Sequence, residues 1–358
     1  MNDSNASVRN ADLCSIHKYP WKWYLDDLEK VHKNGKKVFS CFSCGGGSSM
    51  GYKLAGYDVI GNVEIDPRMM EVYRENHHPR HSYLMDIRDF LRIPQEELPA
   101  ELFDLDILDG SPPCSVFSVA GIREKAWGKE KRFREGQKCQ TIDDLFFHFI
   151  EVVNRLQPKV VVAENVKGII IGRAKGYVNE ILKHFDSAGY AVQIFLLNAM
   201  YMGVPQKRER VFFIARRKDL QLPKLILNIH EPPILFGEVR TDSGRKIEGS
   251  GRVREILSHM KKTDKSVKDI LLRVEGKRAN FNEVIFQDYF VAGTLTATGM
   301  AIRGCDKTNC SDGDCRNIST FPQDFDFGKE RAKYICGMSV PPVMMAHIAS
   351  DIYEQWLK

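Results

Sequence analysis

From Lys37 to Ala215, short apolar runs alternate with stretches of helical spacing, and this pattern constrains the fold more than any other feature. Val38–Phe42, Asp58–Glu64, Leu105–Leu108, Val160–Ala163, Val192–Leu197 and Val211–Ala215 read as strands. A helix is expected over Ser48–Ala55, closed by Gly56, and another starts at Pro67, since proline suits the first helical position. Leu145, Phe146, Phe149, Ile150 and Val153 share one helical face. Such alternation implies an α/β fold, a mostly parallel Rossmann-like sheet covered on both faces. In that architecture ligands bind at the carboxyl ends of the strands.

The alternation stops near Ala215. Leu220–Gly251 is broken by prolines and glycines, and Arg252–Arg278 is dense in charge. The expected organisation is therefore an extension over 1–36, a main domain over 37–215 plus 325–358, and a smaller domain over 216–324. Val343–Leu357 reads as a closing helix. The extension carries an aromatic island, Trp21, Trp23 and Tyr24, to which the sequence assigns no role.

Charge is concentrated in the smaller domain. The chain carries a formal +5. Between Arg216 and Phe290, 16 Lys/Arg face 11 Asp/Glu, which is the whole excess. A basic segment in an otherwise neutral chain suits a phosphate backbone, although a solvated lysine-rich surface has the same composition. The longest apolar runs are of strand length, so no membrane span is expected. Met1–Leu13 is polar and lacks a signal core, which points to a cytoplasmic, nucleoid-associated protein. Nine cysteines, an odd count, suit reduced thiols rather than a disulfide framework. Cys305, Cys310 and Cys315, spaced C-x4-C-x4-C, are read the same way, with a metal as the alternative and Cys336 as its fourth ligand. His77, His78 and His81 read as surface residues around Pro79.

Two turns carry chemistry. Phe42-Ser43-Cys44-Gly45-Gly46-Gly47 links the first strand to the first helix. Three glycines allow backbone N–H groups to approach a ligand, yet a plain tight turn has the same composition. Met50 breaks the dinucleotide pattern G-x-G-x-x-G, and no Lys-Ser/Thr follows as in a P-loop. Glu64 ends the second strand, where an acid accepts hydrogen bonds from ribose hydroxyls, and Asp86-Ile87 stands where it can hold an adenine edge. An adenosine ligand without phosphate clamps points to S-adenosylmethionine. In the second turn, Ser111-Pro112-Pro113-Cys114 runs off a strand into a loop stiffened by two prolines. A cysteine presented there is either a nucleophile or a structural loop residue.

Taken in order, Phe42–Gly47 with Gly51, Glu64, Asp86-Ile87, Pro112-Pro113-Cys114 with Phe117-Ser118, Glu164-Asn165-Val166, Gln206–Arg210, Phe321-Pro322, and Gly337 with Ser339–Pro342 form a set. Through it the chain resembles the cytosine-C5 DNA methyltransferase family of bacterial or phage modification type, over roughly Val38–Ala215 and Phe321–Leu357. The resemblance implies a class I S-adenosylmethionine-dependent methyltransferase domain and makes 216–324 a target-recognition domain. It implies Cys114 as the nucleophile adding to C6 of a flipped cytosine, which turns C5 into an enamine carbon able to take a methyl group. Glu164 would bond N3 and the exocyclic amine. Arg208 and Arg210, alternating on an entering strand, would face O2 and steady Glu164, though alone they read as a basic patch.

Cofactor contacts are implied for Phe42, Gly45, Gly46, Gly47, Glu64, Ile65, Asp86, Ile87, Pro113, Leu145, Ser339 and Val340. The stretch from Ser115 to Lys138 resembles the mobile catalytic loop, with Ser118, Arg123, Arg132 and Arg134 as DNA contacts. A basic surface loop is the alternative. Three positions depart from the family pattern: Cys44 for the first glycine of the turn, Ser115 for a glutamine, and Met338 for an asparagine. The expected partner is double-stranded DNA, with a cognate restriction endonuclease as an open companion and a monomer as the expected state. A tRNA methyltransferase of the same family, a non-catalytic DNA-binding regulator and a nicotinamide oxidoreductase are the competing readings.

Overall fold

The computed structural model describes residues 16–113, 145–171, 175–247, 251–276 and 283–358. Seven strands form the central sheet: β1 (Lys37–Cys41), β2 (Asp58–Glu64), β3 (His81–Leu84), β4 (Ile107–Gly110), β5 (Val160–Val166), β6 (Tyr190–Asn198) and β7 (Glu209–Arg217). Their order is β3-β2-β1-β4-β5-β7-β6. The first five run parallel, while β7 is antiparallel to both β5 and β6. The mostly parallel sheet expected from the alternation is therefore present. It reverses strand order beside β1, and this crevice is where doubly wound folds bind ligands.

Helices α1 (Gly47–Leu54), α2 (Pro67–His77), α3 (Ile87–Phe90), α4 (Leu145–Leu156) and α5 (Lys175–Ser187) connect the strands. Local chemistry sets their ends. Asp66 caps α2 by accepting the Arg68 N–H, and Pro67 follows at the first helical position. The other helices are α6 (Phe236–Val239), α7 (Gly251–Ser258), α8 (Val267–Glu275), α9 (Asp312–Ile318), α10 (Ala332–Met338) and α11 (Pro342–Ile352). α1 rests directly on α11. A Cβ at Gly51 would lie 2.4 Å from Pro342 O and 2.5 Å from Met345 Cβ, so only glycine permits this approach.

Alternating side chains on the strands divide the interior into two cores, one on each face. Val38, Ile107, Val160, Val162 and Phe212 face α1 and α11, whereas Phe39, Leu108, Val161 and Phe213 face α4 and α5. The first core reaches beyond the sheet domain. It takes in Leu225, Phe236, Phe286, Cys315 and Ile318, all within the expected smaller domain. A separate core is confined to residues 247–302, around α7, α8 and the parallel pair β8 (Val284–Phe286) and β9 (Ala301–Arg303). Buried Arg303 beneath this pair bonds Asp314 at 3.1 Å, tying β9 to α9.

Three sequence expectations change. Trp23, without a role in the sequence, is 1% exposed, and its indole N–H donates to Thr320 O at 2.9 Å. The extension is thus part of the first core. His77 is not a surface residue: it is 4% exposed and stacks on Tyr73 at 4.2 Å between ring centres. Proline alone suggested a turn there, but His77 ends α2 on its inward face and His78 makes the turn with φ 46°. Finally, Ala332–Leu357 is long and apolar enough to cross a membrane by length and composition. It is mostly buried within the fold and is interrupted at Ser339 between α10 and α11.

Candidate active site

At the carboxyl ends of β1, β2 and β4 a cleft encloses about 790 Å³, part of it open to solvent. Its walls include Phe42, Ile65, Ile87 and Leu145, with Glu64 and Asp86 as polar groups and Pro113 at one side. Phe42 and Cys44 take left-handed backbone angles, φ 55° and 49°, at some cost for non-glycine residues. Glu64 helps hold that shape. Its Oε2 accepts the Cys44 N–H at 2.7 Å, and Oε1 accepts the Ile65 and Asp66 N–H groups, each at 2.9 Å. Burial of the carboxyl outweighs these three bonds and raises its pKa. Asp86 is also buried in part, but there the Arg88 bonds prevail and lower the pKa. Arg88 donates to it through both the guanidinium and the backbone N–H.

The three glycines of the turn have a different physical role from the one their sequence suggests. A Cβ at Gly45 would lie 2.6 Å from Ile335 Cγ2, at Gly46 2.0 Å from His77 Nε2, and at Gly47 2.4 Å from Val340 O. They let the turn pack on α2 and on the segment around α10. Gly45, Gly46, Gly47, Ser339 and Val340 thus sit behind the cleft wall, while Phe42, Glu64, Ile65, Asp86, Ile87, Pro113 and Leu145 line it. Lining residues absent from the sequence expectation include Cys44, Met69, Met85, Tyr334 and Met338. Tyr334 and Met338 are four apart on α10, a spacing that puts both on one face. The sequence did not indicate that this face meets the cleft.

Glu164 stands near the end of β5, 9% exposed. Arg210, opposite Val166 on β7, forms an ion pair with it, Nε to Oε1 2.9 Å. Asn165 donates to Pro112 O at 3.2 Å, which fixes the diproline turn beside Glu164. Arg208 lies before β7 begins, fully buried, and not beside Arg210 on the strand. Its guanidinium donates to Leu295 O and Gly337 O, each at 3.1 Å, and burial drives its pKa down. Neighbouring Gln206 likewise donates to Ile318 O and accepts the Leu295 N–H, both at 3.1 Å. In this motif Arg210 meets Glu164, whereas Gln206 and Arg208 join the sheet to segments distant in sequence.

Cys114, Ser118, Arg123, Arg132 and Arg134 lie outside the described residues. Among the described residues no group of three His, Cys, Asp or Glu side chains is placed to hold a metal. Cys305 is exposed, whereas Cys310, Cys315 and Cys336 are buried. Burial pushes the Cys315 thiol up to about 12, and raises those of Cys310 and Cys336 as well.

A doubly wound sheet with one antiparallel strand inserted, an acid closing β2 and a diproline turn facing a buried carboxylate defines a class of nucleoside-binding enzyme fold. The model of the C-5 cytosine-specific DNA methylase family matches residues 36–354, and the chain belongs to that family. It is 36% identical over 193 residues to the Type II methyltransferase M.NgoPII of Neisseria gonorrhoeae, covering 53% of this chain and 50% of that protein. To M.Sau96I of Staphylococcus aureus it is 33% identical over 317 residues, 86% of this chain and 66% of the relative. The chain thus spans about half the length of several curated relatives it matches. Among solved structures, a protein assigned as a prophage-encoded DNA modification methyltransferase of E. coli superposes with TM-score 0.68 at 19% identity, covering 90% of this chain and 100% of that one. DNMT2 of Spodoptera frugiperda superposes with TM-score 0.58 at 15% identity, covering 89% and 100%. These likenesses show the fold, the Rossmann-like sheet of the S-adenosylmethionine-dependent methyltransferases.

Proposed function

We propose that the protein methylates C5 of cytosine in duplex DNA, with S-adenosylmethionine as methyl donor and Cys114 as nucleophile. The observation that carries the reading is the junction at Pro112-Pro113. Pro113 lines the cleft, and Pro112 is gripped by Asn165, the neighbour of Glu164. A residue following Pro113 therefore stands between a nucleoside-sized cleft and a buried carboxylate.

The cleft fits the cofactor. A carboxylate offers about four lone-pair positions, and backbone N–H groups occupy three on Glu64. The one left on Oε2 suits a ribose hydroxyl, the apolar walls suit an adenine ring, and Asp86 suits its polar edge. S-adenosylmethionine supplies an electrophilic methyl group when bound. The chain's own residues activate the base. Cys114 thiolate adds to C6, the ring electrons shift toward N3, and Glu164 delivers a proton there. Arg210 holds Glu164 in place, while Arg208 and Gln206 position β7. Arg123, Arg132 and Arg134 would meet phosphates around the extruded nucleotide, with Ser118 near the base. Residues 216–324 would read the flanking sequence.

Transfer of label from S-adenosylmethionine is to be measured on duplex DNA and on tRNA, with wild type and Cys114→Ser. Label at cytosine C5 of DNA, lost in the variant, is the expected result. Transfer to tRNA alone would overturn the substrate, and normal turnover by the variant would overturn the nucleophile. An oligonucleotide with 5-fluorocytosine at the target position should trap the enzyme through that sulfur.

A further inference from the structure

Asp109 is a buried carboxyl that the chemistry above leaves unused. It lies on β4, 2% exposed, and leads into the diproline turn. Its partners are hydroxyls. Ser40 on β1 donates to Oδ2 at 2.9 Å, and Tyr52 on α1 donates to Oδ1 at 3.3 Å. Among the described residues no lysine, arginine or histidine forms an ion pair with it. A hydroxyl can turn and accept as readily as it donates, so this setting serves both the charged and the protonated carboxyl. An ammonium or amide N–H would serve only the charged one.

The register brings a second carboxyl close. Asp109 is opposite Val162 in the β4–β5 pair. Glu164, two residues further along β5, is therefore its diagonal neighbour on the same sheet face, at about 7–8 Å between backbone positions. Two carboxyls on one buried face oppose being ionised together. Burial, with the Glu164 charge adding to it, outweighs the two hydroxyl bonds and holds the Asp109 pKa up to about 7. The other titratable groups around the pair are Cys41, Tyr52 and Tyr73, all pushed upward by burial, with Arg210 and buried Arg208 on the Glu164 side.

We propose that Asp109 is a positioning residue which shares one proton with Glu164, and that this shared proton is the one passed to the cytosine ring. The inference rests on the assignment of Glu164 as the acid at N3. As the Cys114 sulfur bonds to C6, the C5–C6 π electrons shift through the ring. N3 takes the proton from the Glu164 carboxyl, which becomes a carboxylate. The thiolate charge thus ends on Glu164, where Arg210 balances it. Asp109 acts earlier: its own negative charge favours the proton residing on Glu164, and without it Arg210 would hold Glu164 ionised.

The test is single-turnover methyl transfer to duplex DNA as a function of pH, with wild type, Asp109→Asn and Tyr52→Phe. In Asp109→Asn, Glu164 should give up its proton at lower pH. The alkaline limb is then expected to move down by about one pH unit, a roughly ten-fold lower rate on that limb, with the acid limb unmoved. Tyr52→Phe removes a donor to the Asp109 carboxylate, disfavours its charge and should shift the same limb the same way by less. It keeps the measurement open if Asp109→Asn does not fold. Profiles that superpose on wild type after scaling would make Asp109 merely structural and overturn the inference. Absence of transfer by wild type would instead overturn the function proposed above.

Discussion

Glu64 joins folding to cofactor binding, and its replacement separates the two. Glu64→Ala removes the acceptor of three backbone N–H groups at 2.7–2.9 Å. A hydrogen bond to a charged group contributes about 1.5–3 kcal/mol, so three set a gross loss of about 5–9 kcal/mol. Two effects reduce it. Burial already penalises the carboxylate, as its raised pKa records, and the open side of the cleft admits water to the freed N–H groups. A net loss of about 2–3 kcal/mol remains. Glu64→Gln keeps one oxygen for Ile65 and Asp66 but turns an NH2 toward the Cys44 N–H, donor against donor. It should cost about 1–2 kcal/mol. Urea unfolding gives both stabilities, and titration calorimetry with S-adenosylmethionine gives binding, expected to weaken at least ten-fold in each variant. If Glu64→Ala unfolded at the wild-type urea midpoint, the carboxylate would not be holding the turn, and the reasoning would fail.

Three further outcomes are expected. Arg210→Met leaves Glu164 as a buried charge without its partner, which should cost about 3–5 kcal/mol and at least about 100-fold in methyl transfer; Arg210→Lys should recover part of both, and unchanged kcat in the Met variant would separate Arg210 from the chemistry. Gly51→Ala places a methyl group 2.4 Å from Pro342 O and should destabilise by about 1–3 kcal/mol, while Gly176→Ala, with nothing within 4 Å on a helix, should stabilise by about 0.4–1 kcal/mol. Thermal melting of the pair decides whether close packing or glycine content matters. Glu231 is held at a pKa of about 2: burial alone would raise it, but bonds from His347, the Lys18 N–H and His17 prevail. A depressed carboxyl contributes stability above its ordinary value of 4.5 that is lost as pH falls from there toward 2. Melting temperature should therefore drop between pH 5 and pH 3 more steeply in wild type than in Glu231→Gln; parallel slopes would contradict the assignment.

The main sheet was legible from local pattern because a strand buried on both faces must be apolar along its whole length. Asp58–Glu64 matches β2 at both ends, and Val211–Ala215 marks the centre of β7. Edges were less clear. β4 was expected over Leu105–Leu108 but spans Ile107–Gly110, since Asp109 reads as a polar stop although hydroxyls satisfy it inside the core. The smaller domain was seen as one composition shift, yet apolar residues such as Phe236 and Ile318 complete the core of the sheet domain, and local pattern does not reveal which core a residue joins.

Ordered motifs in the sequence by themselves determined the family, the Glu64 end of β2 and the Glu164 end of β5, because chemical groups at strand ends are set by position along the chain. Only the tertiary structure decided which members of a motif meet. Arg208 and Arg210 look alike in sequence, but one clasps the carbonyls of Leu295 and Gly337 and the other meets Glu164. Three glycines that resemble a ligand cradle make room for Ile335, His77 and Val340. The physical reason is the same in each case: hydrogen bonding and close packing depend on distances between segments up to 129 residues apart, which no local spacing encodes.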